Sequence, residues 1–235
     1  GNELASTASQ IINRDNYLKS IGADYSLIDM AVEYLNANQN PENGTWDYKK
    51  DGDNGYTPCL GNDGVLKIVS FYNSVKRPMN HALPAVQNAI STITVDYTPG
   101  HVCNVYNGWL AVSQIFGNIS SYGDPAVVKA VREELRAIAP EAIVITQEKL
   151  SLFQKEDKSF SYFKDMSASG SQGAPVAIPD TNEGDVNATV IFTYGILGYM
   201  FDALGFGSRI QMFTECDRVE FVKLIAEKIE ACELR

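Results

Sequence analysis

His101 opens the run His101-Val102-Cys103-Asn104-Val105-Tyr106-Asn107-Gly108-Trp109 and is one of only 2 histidines in the chain. An imidazole with the Tyr106 phenol close by pairs a proton acceptor with a proton donor. Flanked by the Asn104 amide, the pair suits abstraction and return of a proton beside a carboxyl group that the amide polarises. The competing assignment has His101 bonded to a loop carbonyl and Tyr106 packed on a helix. Glu183 and Asp185, with Asp63 from another stretch of chain, form a second set. Two facing carboxylates are what glycoside hydrolysis requires, whereas Asp185 and Asp63 each also fit the N-cap of a following helix. Around these lie Tyr56, Asn62, Asn104, Asn107, Trp109 and Asn187. Rings that stack on sugars and amides that bind hydroxyls suit a carbohydrate. Tyr56, Tyr106 and Trp109 equally suit a core.

Other chemistries find less support. Asp51-Gly52-Asp53-Asn54-Gly55 resembles the start of a calcium loop, but Asn62 stands where its bidentate Glu belongs, so the run reads as a turn. His101, Cys103 and Cys59 are zinc-type ligands without zinc-type spacing. No metal and no cofactor is expected. The 4 cysteines form no C-x-x-C pair, which leaves neither a redox motif nor a disulfide framework. Lys and Arg number 19 against 29 Asp and Glu, a net charge of −10. That balance argues against nucleic acid and anionic membrane surfaces, which call for a basic face. The longest uncharged apolar-leaning run, Ala188 to Phe201, is too short for a bilayer, so no membrane insertion is expected. No basic-then-apolar leader opens the chain. Asn43, Asn118 and Asn187 head glycosylation sequons that matter only in a eukaryotic secretory setting. A glycan ligand favours a secreted or cell-surface setting over a cytoplasmic one.

The elements that must position these residues are helices. Leu27, Met30, Ala31, Tyr34 and Leu35 fall at helical spacing, with Ser26 and Asp29 resembling a capping box. Further helices are expected over about 63–75, 84–93, 105–116 (stopped at Gly117), 125–138, 141–153 (after an interruption at Pro140), 187–204 (stopped at Gly205) and 217–232 (capped by Asp217). Asp124-Pro125 is an N-cap with proline at the first helical position. No stretch alternates strictly, so strands should be few and short. Long connections at about 40–62, 94–104 and 154–186 alternate with short ones. The helices after the long loops are nearly free of charge, and a helix apolar all round must be covered on both sides. An all-α arrangement of helical hairpins follows, with inner and outer helices alternating, the long loops at one end, and one domain over 1–235.

Ala31, Tyr34, Leu35, Gln39, Gly44 and Trp46 stand as A-x-x-Y-L-x-x-x-Q-x-x-x-x-G-x-W. This resembles the QW-type repeat of the α/α-toroid proteins related to terpenoid cyclases and protein prenyltransferases. Gln154 to Tyr162, QKEDKSFSY, is a weaker echo with Ser159 in place of the glycine. Glu183 to Thr189 is similar to the loop that leads into an inner helix of these toroids. The resemblance implies a toroid, partial at this length, in which the glutamine and tryptophan tie neighbouring hairpins. The catalytic marks of the named families, D-x-D-D, D-D-x-x-D and the prenyltransferase zinc set, are missing, and so is the thioester G-C-G-E-Q. Fold alone does not carry function. Glycan lyases of α/α-toroid fold use a His/Tyr pair on a uronic acid substrate, which makes a polysaccharide lyase or glycoside hydrolase at the long-loop rim the leading expectation. The alternatives are a non-catalytic module that binds a ligand or a partner protein or domain, and a terpenoid cyclase-like apolar pocket inside the ring.

Overall fold

The computed structural model describes residues 1–46, 58–168, 170–171, 174–175, 177–178, 181–206 and 215–233. Its helices are α1 (Asn2–Ser20), α2 (Leu27–Asn38), α3 (Pro58–Val75), α4 (Ala82–Thr94), α5 (Cys103–Tyr122), α6 (Pro125–Ser151), α7 (Val186–Val190), α8 (Leu197–Leu204) and α9 (Glu215–Glu233), with a π-helical turn at Ile191–Ile196 joining α7 to α8. The extended pieces described are Gly170–Ser171 paired antiparallel with Ala174–Pro175, and a single bridge between Gln154 and Phe160. The protein is all-α, and no described helix is long and apolar enough to cross a membrane.

The caps follow local chemistry. The Ser26 hydroxyl accepts from the Asp29 amide (3.2 Å), and the Asp124 carboxylate accepts from the Ala126 amide (2.7 Å) ahead of Pro125. Gly205 ends α8 in the left-handed region at φ 77°. Tertiary packing overrides the expected breaks. α5 runs through Gly117 because Asn118 beyond it is fully buried and tied. Its Oδ1 accepts from the Met79 amide (2.9 Å), and its Nδ2 donates to Asn73 Oδ1 (2.8 Å) and the Arg77 carbonyl (3.0 Å). That burial also closes the Asn118 sequon to modification in the folded state. α6 runs through Pro140, which faces solvent, because Val131 and Leu135 before it and Ala142 and Leu150 after it are all buried. α3 starts before Asp63 and α9 before Asp217, so neither aspartate is an N-cap. α1 was not expected at all. α2 buries a face rotated from the expected one: Ile28, Ala31, Val32 and Leu35 meet the core, while Met30 and Tyr34 are exposed.

α1, α3, α5 and α8 neighbour one another in that order, α4 packs on α3, α5 and α6, α6 reaches α8, and α2 lies on α1. The core between them includes Val69, Phe71, Tyr72, Val86, Trp109, Val112 and Ile115, all without solvent exposure. α9 departs from the expected outer-helix role. Val222, Ile225 and Ile229 are exposed, and no described α9 side chain joins this core.

Three polar ties lock the hairpins. Asp15, buried between α1 and α2, accepts from the Ser26 hydroxyl (2.7 Å) and the Ile28 amide (3.3 Å) and pairs with Lys19 (2.6 Å). Lys19 first, then Ser26, holds its carboxyl down to about 2. The buried Lys149 ammonium donates to the Ile93 and Val95 carbonyls (both 2.7 Å) at the end of α4 and lies over Tyr97. The third tie starts at Gln39, whose buried amide donates to the Gly44 carbonyl (2.9 Å) and the Asn80 carbonyl (2.8 Å). The Trp46 indole N–H donates to the Leu35 carbonyl (2.8 Å), and its ring lies 6.3 Å from that of Tyr72. Gly44 has φ 67°, and a methyl group there would lie 2.5 Å from Ala85 Cβ on α4. Gly44→Ala therefore combines left-handed strain with overpacking and should destabilise the chain by about 2–5 kcal/mol in urea unfolding. A cost under about 1 kcal/mol would show that this close approach is not needed.

Candidate functional site

Asp63 of α3 and Asp185 ahead of α7 both lie close enough to the start of α5 for their charges to act on Cys103. Asp63 lies early in α3, His101 just ahead of α5, Cys103 at its first position, and Asp185 is the N-cap of α7. The buried Asp185 carboxylate uses both oxygens: Oδ1 accepts from the Ala188 amide (2.6 Å) and Oδ2 from the Tyr162 amide (2.9 Å). The Asp185 amide donates to the Phe160 carbonyl (2.8 Å), and the Val102 amide to the Tyr162 carbonyl (3.0 Å). The segment around Tyr162 is thereby stitched to both helix starts. Its ring stacks on His101, with centroids 5.2 Å apart and planes at 14°, and Phe163 meets the imidazole edge-on. Asn107, one turn into α5, donates to the Asp63 carboxylate (2.6 Å).

Burial sets the protonation states. His101 Nδ1 is buried with no hydrogen-bond partner among the described residues. Burial pulls the imidazole below its ordinary value of 6.5, and the Asp63 carboxylate opposes this only in part, so His101 is a neutral base at pH 7. The Cys103 thiol is pushed up, first by burial and then by the Asp63 and Asp185 charges, against a lowering hydrogen bond from Tyr162. Burial likewise holds the Tyr106 and Tyr162 phenols protonated. A neutral imidazole beside protonated phenols and a thiol can accept and deliver protons. Several perturbed groups in one place mark a functional candidate.

The other expected site residues are placed as follows. Asn62 is buried and donates to the Thr92 hydroxyl (2.6 Å). Trp109 is fully buried with its N–H on the Thr146 hydroxyl (2.9 Å), a core aromatic with no face open to a ligand. Asn104 turns back on its own loop, accepting from the Gly100 (3.0 Å) and His101 (3.2 Å) amides. Glu183 is exposed and braces its loop, accepting from the Ile178 amide (3.1 Å) and the Thr181 hydroxyl (2.9 Å). Asn187 is half-buried in the first turn of α7. Tyr56, the Asp51–Gly55 run and the Cys59 side chain lie outside the described residues. Among the residues described, no three of His, Cys, Asp and Glu converge to hold a metal ion.

Tyr162 and Tyr199 were missed by sequence reasoning. Tyr162 closes the QKEDKSFSY echo, which was the available signal, although Gln154 at its head is exposed, unlike Gln39. Beside Gly184 opens a polar cleft of about 610 Å³, lined in part by Lys155, Lys164, Asp165, Asn182 and Glu183. Lys155 donates there to the Lys164 carbonyl (2.8 Å) and the Asn182 amide oxygen (2.5 Å), both neutral acceptors.

No family model, no curated protein and no solved structure matches the chain.

Two tests follow from the geometry. Asp185→Ala removes a helix cap worth about 0.5–2 kcal/mol and strands the Tyr162 amide at about 1–3 kcal/mol more. Amide exchange should accelerate at Ala188 and Tyr162 together, and acceleration at Ala188 alone would uncouple cap from loop. In titrations, His101 should take up its proton below pH 6.5, the ordinary value. The unfolded chain then binds that proton first, so this contribution to stability is present above pH 6.5 and is lost as pH falls through the folded value. The raised Cys103 thiol contributes in the opposite sense, losing stability as pH rises above its ordinary value of 9.0. It should be alkylated more slowly than the exposed Cys216, as mass mapping of labelled peptides would read.

Proposed function

We propose that the chain is a section of an α/α toroid whose rim, where α3, α5 and α7 begin, binds a glycan and cleaves it by β-elimination. The alternation of neighbouring helices supports the toroid. So does the Gln39–Gly44–Trp46 tie between successive hairpins. The observation that carries the activity is the neutral His101 imidazole stacked on Tyr162, its Nδ1 without a hydrogen-bond partner among the described residues.

In this reading His101 accepts the proton from the carbon beside a uronate carboxyl. The Tyr106 hydroxyl donates its proton to the leaving glycosidic oxygen. The C–O bond breaks as a C=C bond forms, and the proton on His101 then returns through solvent to the Tyr106 phenolate. Asn107 and Asp63 take the flanking position first expected of Asn104. Lys155, bonded only to neutral oxygens among the described residues, brings a cation to the adjoining cleft. Hydrolysis is less well supported. It needs two carboxylates across the bond, and Asp185 is consumed in backbone bonds while Glu183 braces its loop. An apolar-ligand pocket finds its best place in a groove of about 390 Å³ between α6 and α8, lined in part by Ile143, Leu150, Phe160 and Phe192. That groove carries no acid–base pair.

The test is product analysis on a panel of neutral and uronic glycans. Unsaturated ends should appear only from uronic substrates, and His101→Ala should slow their release by about 100-fold or more. New reducing ends without unsaturation would make the protein a hydrolase. Binding without any cleavage would make it a glycan-binding module.

A further inference from the structure

Between α7 and α8 the helix widens into a π-helical turn at Ile191–Ile196. Such turns are rare inside helices and gather at functional sites. The buried Gly195 lies in this turn, directly against the Tyr106 ring from α5. A methyl group at Gly195 would lie 2.5 Å from Tyr106 Cε2 and 2.8 Å from Cδ2. Tyr199, on α8, meets the same ring edge-on, with centroids 5.7 Å apart and planes at 67°, and the two hydroxyls share a hydrogen bond. Any side chain at this position would enter the space that Tyr106 fills.

We infer that the π-helical turn with Gly195 is a built seat for Tyr106, and that Tyr199 is a positioning residue that fixes the Tyr106 hydroxyl within the site. The assignment of a catalytic purpose to that seat rests on the reading of Tyr106 as the proton donor. A half-buried phenol is free to rotate its hydroxyl unless a partner fixes it. In the resting state the Tyr106 hydroxyl donates to Tyr199, which holds the phenol protonated and in place until a leaving oxygen competes for that proton. Once Tyr106 has released its proton, the Tyr199 hydroxyl donates to the phenolate until the proton on His101 returns.

The experiment uses the full chain with ¹³C-labelled tyrosine, the Tyr106 and Tyr199 signals being assigned from Tyr106→Phe and Tyr199→Phe. Gly195→Ala should move the Tyr106 ring signals and leave those of the exposed Tyr25 and Tyr34 in place. Tyr199→Phe should shift the Tyr106 Cζ signal, and Tyr122→Phe should not. Gly195→Ala should shift the folding equilibrium toward the unfolded state by about tenfold or more with Tyr106 present, and by less than about threefold in a Tyr106→Ala background. Unmoved Tyr106 signals, or equal costs in the two backgrounds, would overturn the seat. Should Gly195→Ala alone not fold, the Gly195→Ala/Tyr106→Ala chain and Tyr199→Phe decide: a double variant that also fails to fold, or a Tyr106 Cζ signal unmoved by Tyr199→Phe, overturns it. Where the glycan panel is active, Tyr199→Phe should lower kcat and leave KM unchanged. A silent panel with the seat intact overturns the lyase reading alone, and an active panel with Tyr106 unmoved by Gly195→Ala overturns the seat alone.

Discussion

A helix that begins inside a protein presents amide groups that nothing within the helix can satisfy, and at the start of α7 one carboxylate both resolves this and anchors the loop that packs on His101. Asp185 caps α7 with one oxygen and holds the Tyr162 backbone with the other. The loop before α7 is thereby drawn onto the start of α5, where the Val102 amide meets the Tyr162 carbonyl. Without that shared acceptor, neither amide has a buried partner, and burying an orphaned N–H costs more than most side-chain contacts return. The stacking of Tyr162 on His101, and hence the burial that keeps the imidazole neutral, is held by this tie together with the Val102–Tyr162 and Asp185–Phe160 backbone bonds.

The same logic explains which parts of the architecture could be read in advance. Caps are local, so Ser26, Asp124 and Gly205 announced their helix ends correctly. Breakers are local only in an exposed helix. Gly117 and Pro140 failed to break anything because buried side chains on both sides of each held the helix straight through. Periodicity placed α2 but not its buried face. Leu27, Met30, Ala31, Tyr34 and Leu35 form one helical stripe and Ile28, Ala31, Val32 and Leu35 another, and only the neighbours chose between them. α1 carries charged and polar residues throughout much of its length, which muted its pattern.

The placement of the candidate residues was legible only in part. Asp63, His101 and Asp185 lie around the start of α5, where the Asp63 and Asp185 charges reach the Cys103 thiol, while most of the first long loop falls outside the described residues. The roles within that place follow from backbone demands that residue type does not reveal. Asn104 and Asp185 serve amide groups, Asn62 and Trp109 serve the core, and Glu183 serves its own loop. Each had the right chemistry for a ligand and a nearer claimant. Tyr162 was passed over for the converse reason: its partner His101 is distant in sequence, and no spacing rule connects them.

What remains after those claims is small and chemically coherent. Polar groups whose bonds are completed within the fold contribute rigidity, whereas a buried acceptor left without a partner is a cost that the fold carries. Among the described residues His101 Nδ1 is such an atom, and the carboxylates near it are already bonded, Asp63 to Asn107 and Asp185 to two amides. Rigid neighbours around one uncommitted base are the arrangement that proton transfer requires, because a base already bonded within the fold must first break that bond to react. The proposed chemistry is placed on His101 rather than on the carboxylates for this reason: Asp63, Asp185 and Glu183 are each already bonded within the fold.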